Sequence, residues 1–173
     1  NDKHRNLCSV LTGIENLRSL LFPPGNGGNN FFNRAPLRVD HMDHLIRLDR
    51  EAKELERLCD GVNSMIVRGS TERRPPHGVV GEGDRLFFVR EGDEGTVRAS
   101  AKVRKADSTP MLSQEASVIR VVQNQRKLML TEQQFQRWAG HRFLAFVEVE
   151  EVSLIDPFSV DPSLLGPDGW TVL

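Results

Sequence analysis

Apolar residues recur at steps of three and four positions between residues 43 and 59, and charged residues fill most of the positions between them. The members of this apolar stripe are Leu45, Leu48, Ala52, Leu55 and Cys59. Such spacing places the five side chains on one face of an α-helix, so it predicts an amphipathic helix over residues 43–59. Asp60 and Gly61 follow, and glycine suits the left-handed conformation in which many helices end. We expect the stripe to pack into the core; an exposed stripe that binds a protein partner is the alternative.

The hydrophobic period changes to two after this predicted helix. The stretch MIVRG, from Met65 to Gly69, follows a turn and predicts a short strand. The runs DRLFFVR and TVRASAKVRKA, joined by the turn-forming EGDEG, predict a β-hairpin. In the second run, one face carries Val97, Ala99, Ala101 and Val103, and the other carries Arg98, Ser100, Lys102 and Arg104. One face is therefore expected in the core and one in water, and the small core residues favour a strand that curves around a tight barrel.

A longer helix is predicted after the hairpin, within TPMLSQEASVIRVVQNQRKLML. Ser113 is a suitable N-cap, because its hydroxyl can accept a hydrogen bond from the first helical turn. We expect Val118, Val121 and Val122 to face the core.

A second, shorter helix is predicted at residues 131–138. Its first residues, TEQQ, have the spacing of a capping box. It carries Phe135 and Trp138 and is expected to stop at Ala139 and Gly140.

The last apolar stretch, RFLAFVEVEEVSLI, predicts either a pair of strands or one long bent strand. The predicted order is then helix, strand, hairpin, two helices and strand. Local helices combined with antiparallel strands are typical of the α+β class, and here they favour a small β-barrel flanked by helices.

Residues 1–40 differ in composition from the rest of the chain. Their segment FPPGNGGNNFFNRAP is dense in Pro, Gly and Asn, which predicts a loop. We expect residues 1–40 to be an irregular extension that the fold does not need, and residues 41–173 to form the domain. A length of 173 residues is sufficient for one such domain with a core of its own.

Composition narrows the classes of function. No apolar run approaches the roughly 20 residues of a membrane helix, and no charged start precedes an apolar core and a cleavage site. The sequence therefore predicts neither a membrane partner nor a secretory signal. Cys8 and Cys59 are far apart and form no disulfide framework, which favours a reducing, cytoplasmic setting.

Catalytic and metal-binding motifs are weak in this sequence. His41 and His44 could share a helix face, but two ligands do not make a zinc site, and no metal or other cofactor is predicted. Cys59 lies on the apolar stripe, where an inert buried thiol is expected. The stretch GVVGEGD precedes a strand instead of a helix, so we interpret it as a tight turn leading into Asp84 and not as a phosphate-binding loop.

Charge is distributed unevenly along the chain, although its net value is −1. Residues 61–145 carry 14 Lys and Arg against 9 Asp and Glu, whereas residues 146–173 carry no Lys or Arg and 6 Asp and Glu. A basic middle section with an acidic tail can produce a basic face, although ordinary mixing of surface charge is the alternative.

The basic section suggests a nucleic-acid partner. Phosphates require cations, and single-stranded bases require flat surfaces on which to stack. Trp138, beside Arg137 and one turn from Phe135, could supply such a surface; the alternative is that both aromatic residues are core. The cations of this section are Arg68, Arg73, Arg74, Arg98, Lys102, Arg104, Lys105, Arg126, Lys127, Arg137 and Arg142.

These segments together resemble one known family. The stretches GVNSMIVRG, GDRLFFV, VRASAKV and FLAFVEVEEV, with a helical insert before the last, are similar to the ASCH branch of the PUA-like superfamily over about residues 55–157. The resemblance implies a small PUA-like β-barrel, a cleft between the barrel and its flanking helices, and recognition of RNA or modified nucleosides. Four positions match the family signature: Gly61, Arg68, Gly83 and Asp84.

The chain departs from the signature at two positions that bear on catalysis. Asn63 occupies the position of the family's Lys, and Ile66 that of its Glu or Thr. The resemblance implies that some relatives are amidohydrolases of acylated cytidine, with a Thr nucleophile activated by a Lys. Asn cannot serve as that base and Ile cannot attack a carbonyl. Glu115, which could match the family's acidic residue, would lack both partners.

We therefore expect a non-catalytic module that binds RNA or a nucleotide in a basic cleft beside the strand at 65–69. In this interpretation Asn63 and Ser64 lie at the mouth of the cleft, and Arg68 directs its guanidinium towards a phosphate or a base edge. The alternative for Arg68 is an ion pair with Asp84 or Glu115 that holds the barrel closed. The full set of candidate ligand-binding residues is Asn63, Ser64, Arg68, Glu115, Lys127, Arg137, Trp138 and Arg142.

Two other functions remain open. A hydrolase of modified nucleosides would be favoured by a hydrogen bond between Ser64 and Glu115. A protein-interaction module, using the acidic tail and the helix at 43–59, would be favoured by a closed cleft together with exposure of Leu45, Leu48 and Leu55.

Overall fold

The computed structural model of the chain describes residues 41–93 and 95–173. In this part of the chain, six strands form one sheet, and three α-helices pack against it. The elements are β1 (Asp43–Leu48), α1 (Glu54–Cys59), β2 (Met65–Ser70), β3 (Arg85–Arg90), β4 (Thr96–Ser108), α2 (Gln114–Leu128), α3 (Glu132–Trp138), β5 (Phe143–Ser159), a 3₁₀ turn (Pro162–Leu164) and β6 (Trp170–Val172). The extension predicted for residues 1–40 lies outside the described residues.

The sheet curls into a half-barrel. Its strand order is β2-β5-β4-β3-β1-β6, and every neighbouring pair is antiparallel except β1 with β3. The pairing of β4 with β5 shifts register at three places, and such bulges bend and twist a sheet. Ala99 and Ala101 of β4 are buried in the core that the curl encloses, where small side chains let the strand curve. The predicted α+β class with a barrel-like core is confirmed.

The helix predicted over residues 43–59 is wrong in its first part. Residues 43–48 form β1, and only the last six residues of the predicted helix form α1. Leu45, Ile46 and Leu48 are all buried because both faces of β1 are covered, so the alternation that would have indicated a strand is absent. Leu45 and Leu48 lie in separate core clusters, so their helix-like spacing is coincidental. The expectation that the stripe packs into the core holds for both.

Helix α2 begins where the sequence predicts, because the Ser113 hydroxyl accepts a hydrogen bond of 3.2 Å from the Ala116 amide. Val121 is fully buried and Val118 is half-buried. Val122, expected inside, is 56% exposed. Adjacent residues are about 100° apart around a helix, so Val121 and Val122 cannot both face the core.

The capping box of α3 is confirmed. The Thr131 hydroxyl accepts a hydrogen bond of 3.2 Å from the Gln134 amide, and the Gln134 side chain accepts one of the same length from the Thr131 amide. Phe135 and Trp138 of this helix are partly buried against the cluster that α2 and α3 form with β2 and β5. The stretch after α3 forms one long strand, β5, and not a pair of strands.

A buried polar network joins β1 and β6 to the turn before β3. His44 is fully buried, with Nε2 3.0 Å from Asp84 Oδ2 and Nδ1 3.2 Å from Trp170 Nε1. Because the indole N–H can only donate, His44 Nδ1 must accept, and the ring proton lies on Nε2 towards Asp84. Burial acts to raise the pKa of Asp84, but hydrogen bonds from His44 and from the amides of Met42 and Gly81 outweigh it and lower the pKa. The segment before Asp84 is therefore a tight turn fixed by this carboxylate, as the sequence predicts.

Candidate nucleic-acid interface

A cleft opens beside the C-terminal half of β2 and holds about 230 Å³ of solvent-accessible space. Four segments line it: residues 68–70 of β2, residues 74–77 of the following loop, the end of α3 with His141, and the turn before β6. Three arginines and two histidines line this cleft, against one carboxylate among the described residues. The cleft is therefore predominantly basic.

Arg68 closes the barrel at the inner end of this cleft. Its guanidinium donates hydrogen bonds of 2.8 Å to the Val67 carbonyl and 2.9 Å to the Arg47 carbonyl, and lies 3.5 Å from Glu54 Oε1. Arg68 is only 8% exposed, and Glu54 only 6%. The ion-pair partner is thus Glu54 on α1, and not Asp84, which pairs with His44. Since both terminal nitrogens are engaged within the protein, Arg68 offers few donors to a ligand.

Two guanidinium groups lie close to the Trp138 ring. The Arg68 guanidinium is 5.0 Å from the centre of the Trp138 ring, and that of Arg137 is 4.8 Å away. Both distances lie within the range of cation–π contacts. Arg137 is exposed and forms no ion pair within the described part of the chain, so its charge is available to a ligand.

Two histidines on opposite segments complete the lining. His77 Nε2 is 2.6 Å from the Thr109 carbonyl, and His141 Nε2 is 3.0 Å from the Arg137 carbonyl. A carbonyl can only accept, so Nε2 carries the proton in both rings, and Nδ1 is the nitrogen that remains for a ligand. His141 packs closely on Gly69, where an added Cβ would lie 2.8 Å from His141 Cδ2. Gly69 therefore admits the His141 ring to the wall of the cleft.

A much smaller cavity, of about 20 Å³, adjoins this cleft. The two spaces share Arg68, Arg137, Trp138, Pro167 and Asp168 in their linings. The smaller one also contains three further carboxylates, those of Asp49, Glu54 and Glu91. The larger cleft is thus lined mainly by cations, whereas the smaller cavity has more carboxylates than arginines.

Three of the predicted site residues lie together outside the cleft. The Ser64 amide donates a hydrogen bond of 3.0 Å to the Lys127 carbonyl, and Lys127 Nζ pairs with Glu148 Oε2 at 2.8 Å. Asn63 is 5% exposed, and its Oδ1 has no hydrogen-bond partner among the described residues. These residues join the start of β2 to the end of α2.

Glu115 and Arg142 also lie outside the cleft lining. Glu115 is exposed in the first turn of α2, and Arg142 is exposed just before β5. Within residues 41–93 and 95–173, no hydrogen bond joins Ser64 to Glu115. Of the eight predicted site residues, the structure brings three together in the cleft: Arg68, Arg137 and Trp138.

Sequence reasoning did not assign the other side chains of the cleft to the site. Arg74 was counted only within the basic section and Asp168 only within the acidic tail, and the sequence patterns assigned no role to His77 or His141. The Gly-Pro-Asp-Gly sequence at 166–169 is a recognisable turn, but no sequence pattern places it opposite Trp138.

Three further features bear on the possible functions. No group of three or more His, Cys, Asp or Glu side chains in the described residues is arranged to hold a metal ion. No helix there combines the length and the apolar character needed to cross a bilayer. Burial raises the pKa of the half-buried Cys59 thiol, and the nearby Asp60 and Glu56 charges raise it further, so this thiol is a poor nucleophile near neutral pH.

Comparison with known proteins identifies the class of fold. No protein-family model and no curated protein matches the chain. A crystal structure of ASCH from Zymomonas mobilis matches with a TM-score of 0.54 and 14% sequence identity, covering 76% of this chain and 87% of that one. Crystal structures of a Tyr-to-Phe and a Ser-to-Ala mutant of ZmASCH both give a TM-score of 0.55, at 16% and 17% identity. These two matches cover 76% and 78% of this chain, and each covers 89% of the mutant's chain. The fold is ASCH-like, as the sequence motifs predicted.

Proposed function

We propose that this protein binds single-stranded RNA or nucleotides in the cleft beside β2, without catalysing a reaction on them. The observation that carries the proposal is the lining of the cleft, which combines an aromatic ring, Trp138, with Arg74, Arg137 and two histidines. Cations neutralise phosphates, and a flat ring or guanidinium plane stacks on an unpaired base.

The electrostatics of the cleft support this class of ligand. The exposed Arg137 is free to turn from the Trp138 ring towards a phosphate, while the buried Arg68 holds the inner end of the cleft. A base could then take the place of the Arg137 guanidinium against Trp138.

A hydrolase of modified nucleosides has less support. Ile66 is 1% exposed and belongs to the core, and the buried Asn63 cannot act as a base. Glu115 lies in the first turn of α2, away from Ser64 at the start of β2. That alternative predicts release of acetate from acetylated cytidine, with the activity abolished in Ser64→Ala.

A protein-interaction module based on the stripe at 43–59 also has less support. Leu45 and Leu48 are fully buried, and Leu55 is 5% exposed. None of the three is available to a partner, and the cleft is open.

Binding of a labelled single-stranded RNA at several salt concentrations tests the proposal. The logarithm of the affinity should fall with the logarithm of salt by about 0.7 per phosphate contact. Arg137→Ala should weaken binding and reduce that slope by about one contact. Trp138→Ala should cost about 1–3 kcal/mol of binding if a base stacks there. Because Trp138 is partly buried, its variant also requires a melting curve.

Arg98→Ala is the matched control. Arg98 is exposed on β4, pairs with Asp93 at 3.0 Å, and does not line the cleft. Its loss should leave affinity nearly unchanged. Binding that is independent of salt, or equal losses in Arg98→Ala and Arg137→Ala, would show that RNA does not use this cleft.

A further inference from the structure

One carboxylate stands among the cations of the larger cleft, that of Asp168. It belongs to the turn Gly166-Pro167-Asp168-Gly169, in which the Gly169 amide donates a hydrogen bond of 3.0 Å to the Gly166 carbonyl. Pro at the second position and Gly at the fourth are typical of such turns. The sequence of the turn therefore fixes the backbone from which the Asp168 side chain extends.

The turn is also attached firmly to the barrel. The Arg47 amide of β1 donates a hydrogen bond of 2.8 Å to the Gly169 carbonyl, and the next residue, Trp170, is bound through its indole to the buried His44. Gly169 has a φ of +67°, and an added Cβ would lie 3.2 Å from Arg47 Cβ, so the turn approaches β1 closely. The backbone that carries the Asp168 carboxylate is therefore already in place before a ligand binds.

The oxygen atoms of Asp168 remain largely available. Its side chain is 52% exposed, and its one ion-pair partner in the described chain, Arg74, is 3.7 Å away. Arg74 has a better partner in Glu72, to which its Nη2 and Nε donate at 3.0 and 3.3 Å. A ligand can therefore engage Asp168 without leaving Arg74 unpaired.

We propose that Asp168 is a specificity residue that makes the cleft select guanine, an inference that rests on the proposed binding of RNA. Asp168 lines both cavities beside Trp138, so a base stacked on that ring can direct its Watson–Crick edge at the carboxylate. Guanine offers two adjacent donors on that edge, N1–H and the N2 amino group, which match the two carboxylate oxygens. Adenine, cytosine and uracil each place an acceptor beside their donor, and that acceptor repels a carboxylate.

The test uses short oligouridines in which one central uridine is replaced by guanosine, adenosine, cytidine or inosine. The oligomer with guanine should bind about tenfold more tightly than those with adenine or cytosine, as expected for a two-point contact. Inosine keeps N1–H but lacks the amino group, so it should lose most of this advantage. Asp168→Asn should remove the preference for guanine over inosine and, by removing a negative charge, should strengthen binding of plain oligouridine.

Asp156→Asn is the matched control, because Asp156 is an exposed carboxylate on β5 that does not line the cleft. It should retain the preference for guanine. Equal affinity for guanine and inosine in the unmodified protein, or an unchanged preference in Asp168→Asn, overturns the role of Asp168 while leaving RNA binding intact. Failure of the unmodified protein to bind any of the oligomers overturns both proposals.

Discussion

Arg68→Ala should act mainly on the stability of the fold and not on ligand binding. The Arg68 guanidinium joins three elements, since it bonds to the Arg47 carbonyl of β1, the Val67 carbonyl of its own strand and the Glu54 carboxylate of α1. Truncation removes these contacts and leaves Glu54 buried without its cation. Glu54 keeps one bond, at 2.9 Å, from the Asp49 amide.

The magnitude follows from burial and distance. Removing one partner of a buried ion pair costs about 3–5 kcal/mol. The value here should lie at or just below the lower end of this range, about 2–4 kcal/mol, because the Arg68–Glu54 distance is 3.5 Å and Glu54 retains its amide donor. For a domain of this size each kcal/mol lowers the melting temperature by roughly 3–5 °C. A fall of about 10 °C is therefore expected.

Urea and thermal denaturation, followed by circular dichroism, measure this effect. A double-mutant cycle with Glu54→Gln isolates the pair, and its coupling energy should be about 1–2 kcal/mol. Arg137→Ala is the matched control, because it removes an exposed guanidinium near the same indole and should change stability by less than about 0.5 kcal/mol. An Arg68→Ala protein that melts with the wild type, or a cycle with no coupling, would refute this account of Arg68.

Two further substitutions test the hydrogen bonds of Asp84 and the close approach of His141 to Gly69. Asp84→Asn should lower the free energy of unfolding by about 1.5–3 kcal/mol near neutral pH, where its charged hydrogen bonds are intact. Because folding lowers the pKa of Asp84, this stability is present above the ordinary value of 3.8 and is lost as pH falls through the folded-state pKa. The difference between variant and wild type in urea denaturation should therefore shrink in acid, and a difference constant with pH would contradict the argument. Gly69→Ala should cost about 1–3 kcal/mol and displace His141 from the cleft wall, visible as a changed His141 NMR signal. Gly81→Ala, whose added Cβ would meet nothing closer than 3.7 Å, should be nearly neutral, and equal effects of the two substitutions would refute the close-approach argument.

Short sequence patterns predicted those parts of the fold that depend on interactions between residues close together in the sequence. The alternation of β4 was predictable because one of its faces is buried and the other is in water. The starts of α2 and α3 were predictable because Ser113 and Thr131 bond to amides three residues away. These features depend on residues that are neighbours in sequence, so no knowledge of tertiary contacts was needed.

β1 was not predictable by the same means. It pairs with β3 and β6, which lie about 40 and 126 residues further along the chain, and both of its faces are covered. A strand buried on both sides shows no alternation of apolar and polar residues. Because charged residues follow β1, the apolar positions from Leu45 to Leu55 had the spacing of a single helical stripe. The partner of Arg68 was missed for a related reason: Glu54 was assigned to the polar face of that same helix.

The cleft itself depends on long-range placement. Residues 74–77, the end of α3 and the turn at 166–169 come from three separate parts of the chain, and their common location follows from the order of strands in the sheet. Residue types alone predicted a basic, aromatic site around Trp138 and Arg137. They did not predict the carboxylate opposite, because Asp168 belongs to a segment whose net charge suggested a role apart from nucleic acid.

Arg68 and Gly69 show how one short strand can serve both the stability of the fold and the wall of a cleft. Successive residues of a strand point to opposite faces, so Arg68 shares its face with the core residue Ile66, whereas Gly69 shares its face with Val67, beneath α2 and α3. On the first face a guanidinium bridges β2 to β1 and α1 and holds the half-barrel together at the inner end of the cleft. On the second face the lack of a side chain lets His141 approach the strand. The cations that remain for a ligand are then those on the surrounding segments, Arg74 and Arg137. Because of this division, a substitution at a ligand-facing residue of the cleft does not remove the residue that closes the barrel.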